Sequence, residues 1–228
     1  MPILFGLAAI IVLAIAVLPQ FWVRRTLARH AKDRPDLPGT GGELARHLLD
    51  RFGLTDVKVD TTKAGDHYNP ETRTVHLTDP HLAGRSLSAV AVAAHEVGHA
   101  IQHANGERLL AWRQRLVRLA QWTDRAAGIF FVAAPFLAIL ARTPLALALL
   151  VGIGIALLGV RVVVTLVTLP VEFDASFRKA LPMIEEGGYL DSKDLPAARS
   201  VLRAAALTYV AAALMTLVDL ARWTRLLR

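Results

Sequence analysis

Residues 3–23 contain no charged side chain, and Ile3 to Leu18 holds no polar one. At about 1.5 Å of rise per residue, a helix over that run is long enough to cross a hydrocarbon layer of about 30 Å. A cleaved signal peptide would need a basic start, but only Met1-Pro2 precede the run. Arg24, Arg25, Arg29, Lys32 and Arg34 all lie beyond it. The run is therefore expected to be a retained transmembrane anchor over residues 1–23. The positive-inside rule then places residue 24 onward in the cytoplasm.

Two further blocks extend the pattern. Ala126 to Val171 is apolar apart from breaks at Arg142-Thr143-Pro144 and at Arg161. A three-residue break leaves room only for a tight turn, so a transmembrane helical hairpin is expected over residues 126–169. Arg161 lies within a turn of the expected helix end, where a long side chain can reach the headgroups. Ala204 to Val218, between Arg203 and Asp219, is marginal for a span. Residues 201–228 are expected to form a transmembrane or membrane-associated C-terminal helix. The expected fold is a mainly α membrane protein with three to four membrane helices and a small β element. Hydrophobic residues make up 54% of the chain, which excludes disorder as a description of the whole. The absence of cysteine excludes disulfide scaffolds, thiol nucleophiles and Cys-type zinc sites. A net charge of +7 suits an anionic partner. With membrane spans expected, that partner reads as anionic lipid on the basic flanks rather than nucleic acid.

Residues 24–125 are too polar for lipid and long enough for a small cytoplasmic domain. The turn-rich loop 36–42 leads into a helix from about Gly42 to Arg51. Val57-Lys58-Val59 alternates like a strand. So does Thr72 to Thr78, with Thr74, His76 and Thr78 on one face and Val75 and Leu77 on the other. Ser86 or Ser88 is a plausible N-cap for a helix through about His103, ended by Asn105-Gly106. A helix from Glu107 to Arg125 has Leu109, Trp112, Leu116, Leu119 and Thr123 on one face and Arg108, Arg115, Arg118 and Arg125 on the other. Such a basic amphipathic helix lies either on a membrane surface or against the domain.

The chemistry sits in His95-Glu96-Val97-Gly98-His99. Histidines at i and i+4 share one helix face, so both imidazoles can reach one zinc ion. Glu96 projects near the metal without ligating it. There it can take the proton from an activated water and pass it to a leaving amine. This is the H-E-x-x-H arrangement of zinc peptidases. Chance placement gives it in about one chain in a hundred of this composition. A catalytic zinc site wants a third protein ligand. His103, eight residues from His95, is about 12 Å away along a straight helix and too far to share the ion. Glu172, in Leu169-Pro170-Val171-Glu172-Phe173-Asp174-Ala175-Ser176, returns to the side of His95 if the hairpin crosses twice. Pro170 suits the first turn of a new helix that would orient it. His67 or Tyr68, in Asp66-His67-Tyr68-Asn69-Pro70, could donate to an oxyanion, with a simple turn as the other reading. A peptide could add as a strand beside Thr72–Thr78.

Asp66 to Pro70, Arg85 to Gln102, Pro170 to Ser176 and Ala204 to Tyr209 together resemble the YugP-like family of neutral zinc metallopeptidases. The resemblance covers most of the chain. It implies a gluzincin-type catalytic domain in a multi-pass cell membrane protein, with one Zn²⁺ per chain on His95, His99 and Glu172, and Glu96 as the base. The order of the elements is also similar to that of HtpX and the CAAX-prenyl proteases. Those place an Asp four residues after the ligand Glu to orient a zinc histidine. Here that position is Ser176, with Asp174 two residues on, and both are candidates for the role. The implied activity is zinc-dependent endopeptidase cleavage of peptide or protein substrates, membrane proteins among them. The alternative is a non-catalytic membrane zinc-binding or scaffold protein, for which Glu96 would have no use.

Overall fold

The computed structural model describes residues 2–140 and 143–226; the side chains of 2–13, 212–226 and scattered helical positions, Arg161 and Tyr209 among them, lie outside the described residues. The elements run α1 (Pro2–Arg29), α2 (Gly41–Arg51), β1 (Lys58–Thr61), β2 (His67–Asn69), β3 (Thr74–Leu77), α3 (Asp79–Leu82), α4 (Leu87–Ala104), α5 (Arg108–Leu140) and α6 (Pro144–Phe173). A π-helical stretch, Asp174–Ala180, then leads to α7 (Leu181–Glu186) and α8 (Leu195–Leu226). The chain divides into two compact units, one of residues 21–111 with 169–208, the other of residues 1–20, 112–168 and 209–228.

The expectation of three to four membrane helices is overturned. Among the described residues no helix is long and apolar enough to cross a membrane. Two of the apolar runs are only the ends of longer, partly charged helices. The fifteen-residue run 126–140 ends α5, whose first half carries Arg108, Arg115, Arg118, Asp124 and Arg125. At about 1.5 Å per residue such a run covers about 22 Å, short of the roughly 30 Å required. The run 204–218 likewise continues a helix that opens nine residues earlier and carries Arg199 and Arg203. The hairpin break at Arg142 and the N-terminal run 3–13 lie outside the described residues or side chains. The fold is mainly helical with one small sheet.

The unit of residues 21–111 and 169–208 is organised around α4. Ser86 caps it, accepting from the Ala89 N–H at 3.1 Å, and Gly106 closes it at φ 63° just past Asn105. Every residue of α4 from Leu87 to Ala100 is buried. Such a helix is surrounded rather than amphipathic, which its Ala-Val run permits. Its apolar residues share one core with Ala45, Leu48 and Leu49 of α2, Val75 and Leu77 of β3, Ala180, Met183 and Ile184 after α6, and Ala198, Val201 and Leu202 of α8. Helix α2 starts with a capping box: Thr40 N–H donates to Glu43 Oε2 at 2.7 Å, and Glu43 N–H to Thr40 Oγ1 at 3.2 Å.

The sheet has the order β1-β3-β2, with β1 parallel and β2 antiparallel to β3. Val75 and Leu77 face the core, as their alternation predicts. Strand β3 has both edges taken, so no peptide can add beside Thr74–Leu77; only an outer strand can receive one. Pro170, expected to start a helix, sits inside α6. The ring removes one backbone donor, and α6 continues past it before widening into the π stretch four residues later.

In the other unit, residues 112–122 present a mixed apolar and cationic surface. Trp112 and Trp122 are more than half exposed, with the Arg115 guanidinium 5.9 Å and the Arg125 guanidinium 5.4 Å from their respective ring centres.

Candidate metal centre

His95 and His99 lie one turn apart on α4, their rings edge to face with centroids 4.7 Å apart. Glu172, near the end of α6, points its Oε2 between them, 3.3 Å from His95 Nε2 and 3.2 Å from His99 Nε2. One ligand atom from each of the three lies within 4.8 Å of the others, and all three residues are buried. The approach depends on Gly98. A Cβ there would stand 2.8 Å from the Ala175 carbonyl oxygen. The glycine of HEVGH therefore lets the backbone of α4 touch the segment that carries Glu172.

The donor set suits zinc. Two imidazoles and one carboxylate are the ligands of known catalytic zinc sites. Tetrahedral bonds of about 2.0–2.1 Å put neighbouring ligand atoms about 3.3–3.4 Å apart. The observed 3.2 and 3.3 Å match that spacing. Burial of Glu172 to 1% exposure, with two imidazole nitrogens as its neighbours, also calls for a cation. Glu96, at 5% exposure, follows His95 directly and is itself buried.

A polar layer backs the three ligands. Ser176 Oγ meets His95 Nδ1 at 2.9 Å and donates to the Leu202 carbonyl at 3.1 Å. Gln102 Oε1 meets His99 Nδ1 at 2.8 Å, while its amide nitrogen donates to the Val171 carbonyl at 3.0 Å and to Asp174 Oδ2 at 2.8 Å. Lys179 pairs with Asp174 and, at 2.8 Å, with Glu107. Burial pushes the Asp174 carboxyl up, but the hydrogen bonds from Lys179 and Gln102 and the neighbouring charges leave it below the ordinary range. Sequence reasoning pointed to Ser176 and Asp174 but missed Gln102. Its position three residues after His99, on the same helix face, was the available signal.

The remaining candidates lie elsewhere. Tyr68, buried in β2, has its hydroxyl 2.8 Å from His103 Nδ1, one turn beyond His99 on α4. Burial raises the Tyr68 pKa and lowers that of His103, which Arg73 lowers further. Both shifts favour the uncharged forms, so the contact is a hydrogen bond between a neutral phenol and a neutral ring. His67 stacks on His76 with ring centres 4.8 Å apart, and its Nδ1–H donates to the Gly65 carbonyl at 2.8 Å. Asp66 ties β2 to the segment after β3: Oδ1 accepts from Thr78 N–H at 2.7 Å, and Oδ2 lies 2.7 Å from His81 Nδ1.

Residues 5–228 match the family described as "Putative neutral zinc metallopeptidase". A protein of Bacillus subtilis (strain 168) named "Putative membrane protease YugP" is 37% identical over 222 residues, which cover 96% of this chain and 95% of that protein. No solved structure matches.

Proposed function

The chain belongs to the family described as "Putative neutral zinc metallopeptidase", and from that premise we propose that it is a zinc-dependent endopeptidase. The observation that carries this reading is the buried meeting of His95, His99 and Glu172, with Glu96 next to the first of them. His95 Nε2, His99 Nε2 and Glu172 Oε2 would hold one zinc per chain. Zinc in such a site polarises a carbonyl and makes water acidic enough to lose a proton near neutral pH. The Glu96 carboxylate accepts that proton and returns it to the departing amine, so that one residue serves as base and then acid. Its low exposure keeps bulk water from competing for the proton. Since β3 is closed on both sides, the substrate backbone runs along the outer strand β2, which is anchored to α4 by the Tyr68–His103 bond.

Attachment to an anionic membrane surface forms a second part of the reading. Its support is the exposed pair Trp112 and Trp122 with Arg115 and Arg125 over their rings, together with the word "membrane" in the name of the Bacillus relative. Flotation with vesicles containing phosphatidylserine, but not with purely zwitterionic ones, is the expected behaviour, and Trp112→Ser/Trp122→Ser should weaken it. Equal flotation with both lipids would remove this part.

The test of the enzyme reading uses the full chain. Peptide hydrolysis should stop with a chelator and resume with zinc. Glu96→Gln is nearly isosteric, so it should keep zinc while turnover falls by about 10²–10⁴. Turnover at the wild-type rate in Glu96→Gln would remove Glu96 as the base; a wild-type chain with zinc bound and no peptide hydrolysis would end the reading, and a scaffold role would take its place.

A further inference from the structure

We propose that Gln102 and Ser176 are positioning residues that hold a proton on Nδ1 of both metal-binding imidazoles and so reserve Nε2 for the metal, a step that rests on the zinc reading of this site. The proton positions follow from groups that can act in only one way. A backbone carbonyl only accepts. The Ser176 hydroxyl must therefore send its proton to Leu202 O, 3.1 Å away, leaving Oγ to accept from His95 Nδ1 at 2.9 Å. Gln102 faces Val171 O at 3.0 Å and Asp174 Oδ2 at 2.8 Å, and both require its NH₂. Its Oε1 is then turned to His99 Nδ1 at 2.8 Å and can only accept. The orientation of the amide is thus set by its surroundings rather than chosen.

Two independent chains of bonds, one through α8 and one through α6, reach the same answer. Each ring carries a proton on Nδ1, and both Nε2 atoms face Glu172 Oε2, a carboxylate that only accepts, so each of these contacts needs a proton or a metal ion between its two atoms. Gln102 does more than orient one ring. At 1% exposure it uses both amide N–H groups and its oxygen to join α4 to the stretch on either side of Glu172, namely Val171 and Asp174. Orienting His99 and docking the third ligand are therefore one act of one side chain. Both Nδ1 partners of the imidazoles are neutral groups, and the charged pair of Asp174 and Lys179 stands one bond further back. Loss of such a partner costs about 10–100-fold in metal affinity or activity.

Long-range ¹H–¹⁵N correlation on the metal-free, histidine-labelled chain, at about pH 8.5 and so above the ordinary histidine range, reads the tautomers directly. His95 and His99 should both carry a proton on Nδ1 in the wild type. Gln102→Ala should release His99 alone into a mixture, and Ser176→Ala should release His95 alone. Chelator competition should show zinc affinity falling about 10–100-fold in each. Gln102→Glu keeps an acceptor for His99 but loses both donors, so it should preserve the His99 tautomer while weakening the hold on the Glu172 segment. A histidine of the pair without an Nδ1 proton in the wild type overturns the proposal. So does zinc affinity within twofold of wild type in folded Gln102→Ala and Ser176→Ala. None of these measurements uses a substrate. A wild-type protein that shows the tautomers but cleaves no peptide would refute the endopeptidase reading and leave this one standing.

Discussion

Gly98 of α4 and Ala175 of the π stretch are in backbone contact: a Cβ on the glycine would lie 2.8 Å from the Ala175 carbonyl oxygen and 3.3 Å from its Cα. Neither neighbour is the end of a flexible side chain, so an alanine must push the two segments apart. Overpacking of this kind costs about 1–3 kcal/mol, and the helix propensity gained returns at most about 1 kcal/mol. Because the same contact holds His95 and His99 against Glu172, Gly98→Ala should lower both the denaturation midpoint and zinc affinity. A variant matching wild type in both would show that the two backbones do not meet this way.

The second prediction separates the third ligand from a merely buried acid. Zinc that binds only the folded chain stabilises it by about 4 kcal/mol at a thousandfold excess over its dissociation constant. Melting of the wild type should therefore rise with added zinc and fall with a chelator. Glu172→Gln is close in shape but lacks the charge that Oε2 presents to both Nε2 atoms. Its melting should respond little to either reagent. An undiminished zinc response in this variant would remove Glu172 from the metal.

Local spacing made the core of the site legible, and long-range placement did not. His95, Glu96 and His99 are arranged by one turn of helix, which any sequence reading can draw. The Ser86 cap and the Asn105-Gly106 stop of α4 are equally local. Gln102 was passed over because its meaning lies in Val171 and Asp174, about seventy residues away. Strand β2 escaped notice because three residues between Gly65-Asp66 and Pro70 look like a turn; its strand character comes from pairing with β3. The parallel β1–β3 pairing closes the edge of β3 through a crossover that no alternation pattern reveals. Apolar runs were read as membrane spans because hydropathy does not say where a helix begins, and α5 and α8 both begin well before their apolar parts.

Acid should test the Asp66 anchor. Burial pushes this carboxyl up, yet the His81 hydrogen bond and charge and the two Thr78 donors outweigh it, leaving the pKa below its ordinary value. A carboxyl depressed in the folded state contributes stability that is present above the unfolded pKa of about 3.9 and is lost as pH falls through the folded value. Asp66→Asn should therefore cost about 1–3 kcal/mol near neutral pH, where a charged acceptor is lost. The gap between the two denaturation midpoints should narrow below about pH 4. A gap that stays constant into acid would mean the charge of Asp66 contributes nothing.

Tyr68 distinguishes a role at the reacting carbonyl from a role in the fold. Its hydroxyl is committed to His103 Nδ1 at 2.8 Å, the residue is 7% exposed, and the strand that carries it pairs with β3. An oxyanion donor must instead point to where charge develops, and removal of one such donor costs about 10²–10³ in kcat. Tyr68→Phe keeps the ring and its packing and deletes only the hydroxyl. It leaves a partly buried imidazole nitrogen without its hydrogen-bond partner, at a cost of about 1 kcal/mol. The expected result is a modest drop in the denaturation midpoint, with kcat on a model peptide within a few-fold of wild type and zinc affinity unchanged. A hundredfold loss of kcat at unchanged stability would show that the Tyr68 hydroxyl leaves His103 during turnover and serves the substrate.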